Sequence, residues 1–232
     1  MTEFNADNKI KILVVDDFDL VRHGIARMLD DEADMEVTGM ANSGEDALRQ
    51  LRTQIPDVVL MDVKMPGMGG IEATQRILRQ YPEIRIVAMS SIDVGAIPTQ
   101  MLAAGALAFI TKGAAVEELM QAIRMAYRGQ HYITQSVATQ MAVQPVHRQD
   151  KKLFDKLSQR ELQIAMLLSD GQRVSNISTT LNLSPKTVYS YRYRIFDKLG
   201  IKSDVHLTIL AMKSGLSEGY SELQDYRQQL RG

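Results

Sequence analysis

Residues 57–70 read DVVLMDVKMPGMGG, an apolar run that stops at Asp62 and is followed by Pro66 and three glycines. A nearly continuous run of this kind marks a strand buried on both faces of a parallel sheet, and the Pro and Gly cluster marks the loop at its carboxyl end. The pattern recurs on either side. Ile10–Val15 ends in Asp16-Asp17, Met35–Ala41 forms another run, Ile84–Ser90 ends in a serine, and Leu107–Thr111 is followed by Lys112. Between them, Leu20–Leu29, Gly44–Leu51, Gly70–Gln80 and Ala115–Tyr127 carry apolar residues at helical spacing, whereas the stretch after Ser91 is weaker because of Gly95 and Pro98. The alternation predicts an α/β fold with a five-stranded, doubly wound parallel sheet.

Ligands of such sheets bind outside the carboxyl ends of the strands, so the residues just after each run are the candidates for chemistry. Asp16, Asp17, Asp62, Ser90 and Lys112 therefore converge on one edge. Three clustered carboxylates raise one another's pKa unless a cation sits among them, and hard oxygen ligands favour Mg²⁺. A carboxylate beside Mg²⁺ can attack phosphorus while the metal and Lys112 neutralise the transferring phosphoryl group, and Asp62 is the candidate nucleophile. A rival reading takes Asp17-Phe18-Asp19-Leu20-Val21 as the DxDx[TV] pattern of haloacid-dehalogenase-type phosphatases. It leaves Asp16, the MPGMGG turn and the second half of the chain without a role.

At 232 residues the chain has room for two domains, and the charge pattern separates them. Residues 1–130 hold 13 Lys and Arg against 19 Asp and Glu, whereas residues 151–216 hold 11 against 5. An acidic half joined to a basic half points to a polyanion, nucleic acid, as the second half's partner. The absence of cysteine removes disulfides, thiolate zinc sites and cysteine nucleophiles. His23, His131, His147 and His206 show no ligand spacing. Neither a leader pattern nor a membrane-length apolar run is present, so no membrane partner and a cytoplasmic location are expected.

Residues 134–152 are polar and lose the strand–helix rhythm, which predicts a linker after a domain at 1–133, with one short helix at Ser136–Val143. A small all-α, four-helix domain follows at 153–216, ahead of a polar tail at 217–232. Ser158 and Glu161 form a capping box; that helix runs to Ser169 and Gly171 breaks it. A second helix covers Val174–Leu181, and Asn182 makes the turn. Ser184 and Pro185 start a third that ends at Leu199-Gly200, and a fourth spans about Asp204–Ser214. In the third helix Val188, Tyr191, Ile195 and Leu199 recur at core spacing, which leaves Lys186, Thr187, Tyr189, Ser190, Tyr193 and Arg194 for a hydrogen-bonding, basic outer face. A short helix, a turn and a longer helix with donors near its start suit entry into a DNA major groove.

LVVDDFDLVR, VVLMDVKMPGMGG, IVAMS and GALAFITK together resemble the flavodoxin-like receiver domain of bacterial response regulators over residues 9–130. The resemblance implies Asp62 as phosphoacceptor, and Asp17, Asp62 and the Lys64 carbonyl as direct Mg²⁺ ligands, with Asp16 acting through water. It makes Ser90 the switch hydroxyl, Phe109 the switch aromatic and Lys112 the phosphate-pairing ammonium. It also implies a phosphoacceptor that is stoichiometric, with slow self-dephosphorylation, and not an enzyme. One departure is Gly113, where many receivers have a proline after the lysine. LSQRELQIAMLLSDG and ISTTLNLSPKTVYSYRYRIFDKLGIKSDVHLTILAMKSGL resemble the LuxR-type helix-turn-helix over residues 155–216, with Ser175-Asn176 and Ser178 departing from its usual scaffold helix. The combination is the NarL/FixJ architecture, and SPKTVYSYRYRIFDKLGIKSDVHLT is especially similar to the GacA/UvrY group. That implies a sensor histidine kinase as donor, homodimerisation when phosphorylated, promoter DNA and RNA polymerase as partners, and activation of small regulatory RNA genes.

Overall fold

A computed structural model describes residues 9–91, 96–135, 137–139, 153–154, 156–214 and 216. The chain divides into two compact units, residues 1–90 with 101–137 and residues 91–100 with 138–232.

In the first unit six strands alternate with helices: β1 Ile10–Val15, α1 Asp19–Asp30, β2 Met35–Ala41, α2 Gly44–Gln50, β3 Val58–Asp62, α3 Gly70–Gln80, β4 Arg85–Ser90, α4 Ala96–Ala103, β5 Ala108–Thr111, α5 Val116–Tyr127 and β6 Tyr132–Ile133. The sheet order is β2-β1-β3-β4-β5-β6, and every pair is parallel. The expected five strands are all present. The sixth corrects the count: Tyr132 and Ile133 pair beside Ala108 and Phe109, and two residues are too short to show a period.

Burial on both faces explains the apolar runs. Ile12, Val14, Leu60, Val87 and Ile110 pack with Ile25 and Leu29 of α1 and with Leu119, Met120 and Ile123 of α5. The intervening side chains Leu13, Val15, Val59, Met61, Ile86, Ala88 and Phe109 are equally buried and point the other way, as a period of two requires. Arg124 of α5 ties down the loop between α1 and β2, with Nε 2.7 Å from Asp34 Oδ2 and Nη2 2.6 Å from Glu32 Oε2. Sequence order reverses beside β1, which is flanked by β2 and β3, so a crevice opens at the carboxyl ends of β1 and β3. Thr134 and Val137, assigned to the linker from sequence, are buried, and residue 137 still belongs to the first unit. Gln135 and residues 137–139 are helical, in keeping with the short helix expected there; residues 140–152 and the tail after Leu216 lie outside the described residues.

The second unit contains α6 Gln159–Ser169, α7 Val174–Thr180, α8 Pro185–Leu199 and α9 Asp204–Lys213. Ser158 closes the expected capping box with Glu161. Asn182, at φ 50°, is the one non-glycine residue with positive φ among those described, in the turn that aims α8. In α7 the Ser178 hydroxyl donates to the Val174 carbonyl at 2.7 Å, so a buried serine is accommodated in the scaffold helix. Val188, Ile195 and Leu199 face the core with Phe196, while Tyr191 is only half-buried.

Glu161 does more than cap. It is buried, accepts from the Ser158 backbone N–H at 2.8 Å, and lies 2.6 Å from Lys198 Nζ on α8. Burial works to raise its pKa, but Lys198 and Ser158 outweigh it and hold the carboxyl below the usual range. The charged form is thus favoured in the fold, so its contribution is present above the unfolded carboxylate pKa and is lost as pH falls through the depressed one. Glu161→Ala should cost this unit about 2 kcal/mol at neutral pH, a figure discounted for the partly exposed lysine, with the deficit shrinking in acid. Urea melts at pH 7 and pH 3.5 would check both parts.

Candidate phosphoacceptor and DNA-binding sites

Asp16 and Asp17 follow β1 and Asp62 ends β3, so the three carboxylates meet in the crevice, with one oxygen of each inside a 4.8 Å sphere of mutual distance. Asp62 is only 2% exposed. Lys112, just beyond β5, reaches across the strand ends and places Nζ 2.9 Å from Asp62 Oδ2 and 2.7 Å from Asp16 Oδ2. Burial pushes Asp62 up to about 6; Lys112 opposes that shift and Asp16 adds to it. Burial raises Asp17 as well. Desolvation works against the Lys112 ammonium, but Asp62 and Asp16 outweigh it and hold its pKa above the ordinary value. The site therefore carries more negative charge than its single ammonium neutralises.

The donor set fits a hard cation. Asp17 Oδ1 is buried with no hydrogen-bond partner, and every candidate ligand atom is an oxygen. Lys64 donates its backbone N–H to Asp62 Oδ1 at 3.2 Å, which lays the Lys64 backbone beside the carboxylate. Ser90 is buried at the end of β4, and its carbonyl accepts the Lys112 N–H at 2.8 Å. Phe109 is fully buried. No cis peptide occurs among the described residues, and the Lys112–Gly113 bond is trans.

Sequence reading missed three residues that hold this geometry. Arg22, six residues on in α1, donates to the Asp16 carbonyl at 2.6 Å, a contact that helical spacing does not signal. Phe18 is 63% exposed, with Lys112 Nζ 5.9 Å from its ring centroid, which forms an apolar lip to an acidic hole. Gly70 sits so close to β3 that a Cβ there would lie 2.1 Å from the Asp62 carbonyl oxygen. The DxDx[TV] alternative loses its second carboxylate: Asp19 is turned outward, 81% exposed, and paired with Arg22.

In the second unit Lys186, Tyr189, Ser190, Tyr193 and Arg194 are exposed on α8, as expected for an outer face, and Thr187 is half-buried. Ser184 caps the helix by accepting the Thr187 N–H at 3.1 Å, and its hydroxyl pairs with that of Thr187 at 2.7 Å. The Ser190 hydroxyl donates to the Lys186 carbonyl at 2.9 Å. Two of the six candidate contacts therefore have their hydroxyls engaged within the helix.

Residues 12–124 match the family described as response regulator receiver domain, and residues 155–211 match bacterial regulatory proteins, luxR family. The chain is 51% identical over 208 residues to response regulator GacA of Pseudomonas syringae pv. syringae, covering 89% of this chain and 97% of that one. It is 47% identical over 208 residues to response regulator UvrY of Escherichia coli K12, covering 89% and 95%. Among solved structures, a RcsB response regulator of Salmonella typhimurium described for its conformational dynamism in DNA interaction aligns with a TM-score of 0.57 at 25% identity, covering 87% of this chain and 97% of that one. Among the described residues no helix is long and apolar enough to cross a membrane.

Proposed function

The chain belongs to the response regulators that join a receiver to a LuxR-type DNA-binding domain, and from that membership we propose that Asp62 accepts a phosphoryl group from a sensor histidine kinase and so controls promoter binding. As a two-component response regulator the protein acts on promoter DNA. The observation that carries the proposal is the pairing of a buried, unusually basic carboxylate at Asp62 with Lys112 at 2.9 Å.

Asp62 Oδ attacks phosphorus as the phosphorus–nitrogen bond of a phosphohistidine breaks, and the imidazole leaves with the electron pair. Asp16, Asp17, Asp62 and the Lys64 carbonyl would hold Mg²⁺, which when bound offsets the charge of the carboxylates and of the phosphoryl oxygens. Lys112 gains the new phosphoryl oxygens as partners, and the Ser90 hydroxyl, buried one strand away, donates to them. Phe109, buried on β5 in register with Ala88, follows as the switch aromatic. The transfer is stoichiometric, with slow hydrolysis resetting the switch. Val205 and Ile209, exposed one turn apart on α9, support self-association that would set two α8 helices on an inverted repeat, where RNA polymerase can be recruited.

Gel shifts with fragments from small regulatory RNA promoters test this for wild type and Asp62→Ala, each with and without acetyl phosphate and Mg²⁺. Tighter binding confined to phosphorylated wild type is expected. Equal binding in all four reactions would leave a constitutive DNA-binding protein, and repeated turnover of a small phosphoester would revive the phosphatase alternative.

A further inference from the structure

The outer face of α8 is less cationic than its sequence suggests. Of its four cations, Arg192 is held in a bidentate pair with Asp204, at 2.7 Å from each nitrogen, and lies 4.7 Å over the Phe196 ring. Lys198 is committed to Glu161. That leaves Lys186 and Arg194, and the Arg194 guanidinium is stacked 4.4 Å over Tyr191. With the Thr187 and Ser190 hydroxyls engaged inside the helix, the groups that project from the middle of the face are two phenols. Tyr189 and Tyr193 are 46% and 66% exposed, one turn apart.

Large exposed aromatics at a binding face mark a contact that will be buried. Four residues of helix rise about 6 Å, close to two steps of a base stack. In the major groove the apolar feature is the thymine C5-methyl, whereas guanine and adenine are read by cationic and amide side chains; α8 exposes no Asn or Gln, and the Arg194 guanidinium next to Tyr193 is stacked on Tyr191. We infer that Tyr189 and Tyr193 are specificity-determining residues that pack on thymine methyl groups about two base pairs apart in each half-site, an inference that rests on the promoter-binding reading above. Lys186 and Arg194 flank them and position the helix on phosphates.

The test uses the full chain with acetyl phosphate and Mg²⁺, and a duplex it enriches from a random-sequence pool, with each thymine replaced in turn by deoxyuridine. Wild type should lose about fivefold in affinity at two thymines per half-site. Tyr193→Ala should bind the thymine and uracil duplexes equally at one of those positions, and Tyr193→Phe should keep the methyl sensitivity. The salt slope should be unchanged in both tyrosine variants and shallower by about one in Lys186→Ala. Tyr193 is solvent-facing, so an unchanged melting temperature should accompany its substitution. Uracil without effect on wild type, or with the same effect on Tyr193→Ala, overturns the inference. So does a loss in Tyr193→Phe equal to that in Tyr193→Ala, which would make the phenol a phosphate contact. If no duplex is enriched, the promoter-binding reading itself falls, and the methyl inference with it.

Discussion

Asp62→Asn should make the metal-free protein more stable than wild type at pH 7.5, and the advantage should fade as the pH is lowered to 4. Asp62 is buried at 2% exposure beside Asp16, and its pKa stands near 6 in the fold against 3.8 for the free carboxyl. Between those values the native state binds more protons than the unfolded chain, so stability falls as pH rises. The difference amounts to about 3 kcal/mol once Asp62 is fully ionised, and it vanishes below the unfolded pKa, where the group is neutral in both states. Asparagine keeps the shape and removes the charge, while Lys112 retains Asp16 at 2.7 Å. Because Asp34 and Glu161 have depressed pKa values and lose stability in acid, the quantity to read is the difference between the two proteins across pH. Mg²⁺ should raise the melting temperature of wild type and do little for the variant. An asparagine variant no more stable than wild type at pH 7.5 would mean that Lys112 already neutralises the site.

That strain is the physical reason the site was readable from sequence. Acidic residues at the ends of two buried strands are costly without a function, and Ser90 and Lys112 at two more strand ends supply the complementary hydroxyl and ammonium. The helical unit was equally open because its caps are local: Ser158 with Glu161 and Ser184 with Pro185 each lie within one turn. Contacts between distant segments were not. Lys198 reaching Glu161 and Arg192 reaching Asp204 convert apparent surface charge into internal ties, and nothing in helical spacing separates them from Lys186 or Arg194. Helix α4 was faint because Pro98 interrupts its pattern, yet Pro98 lies in the first turn, where the missing N–H has no helical acceptor to lose. Strand β6 was invisible because its two residues take their conformation from pairing with β5.

Gly70→Ala is expected to be the most damaging single-methyl change in the first unit. The added Cβ would lie 2.1 Å from the Asp62 carbonyl oxygen, 2.8 Å from Val63 Cα and 3.0 Å from the Asp62 carbonyl carbon, all backbone atoms with no rotamer to yield. Gly69 precedes it at φ 71° and caps α3, so the loop cannot easily swing away with an ordinary residue geometry. Either β3 or α3 must retreat, and β3 is pinned between β1 and β4. Overpacking of this kind costs about 3 kcal/mol, and displacement of the nucleophile by about 1 Å should slow phosphoryl acceptance on the order of a hundredfold. Gly24→Ala is the matched control: a Cβ there meets nothing within 4 Å inside α1, so it should stabilise the protein by about 0.5 to 1 kcal/mol and leave phosphorylation unchanged. Acetyl phosphate uptake and thermal melts on the pair separate the two effects. If Gly70→Ala were phosphorylated at the wild-type rate, the β3–α3 junction would not be what fixes Asp62, and the alignment of the site would have to come from Lys112 alone.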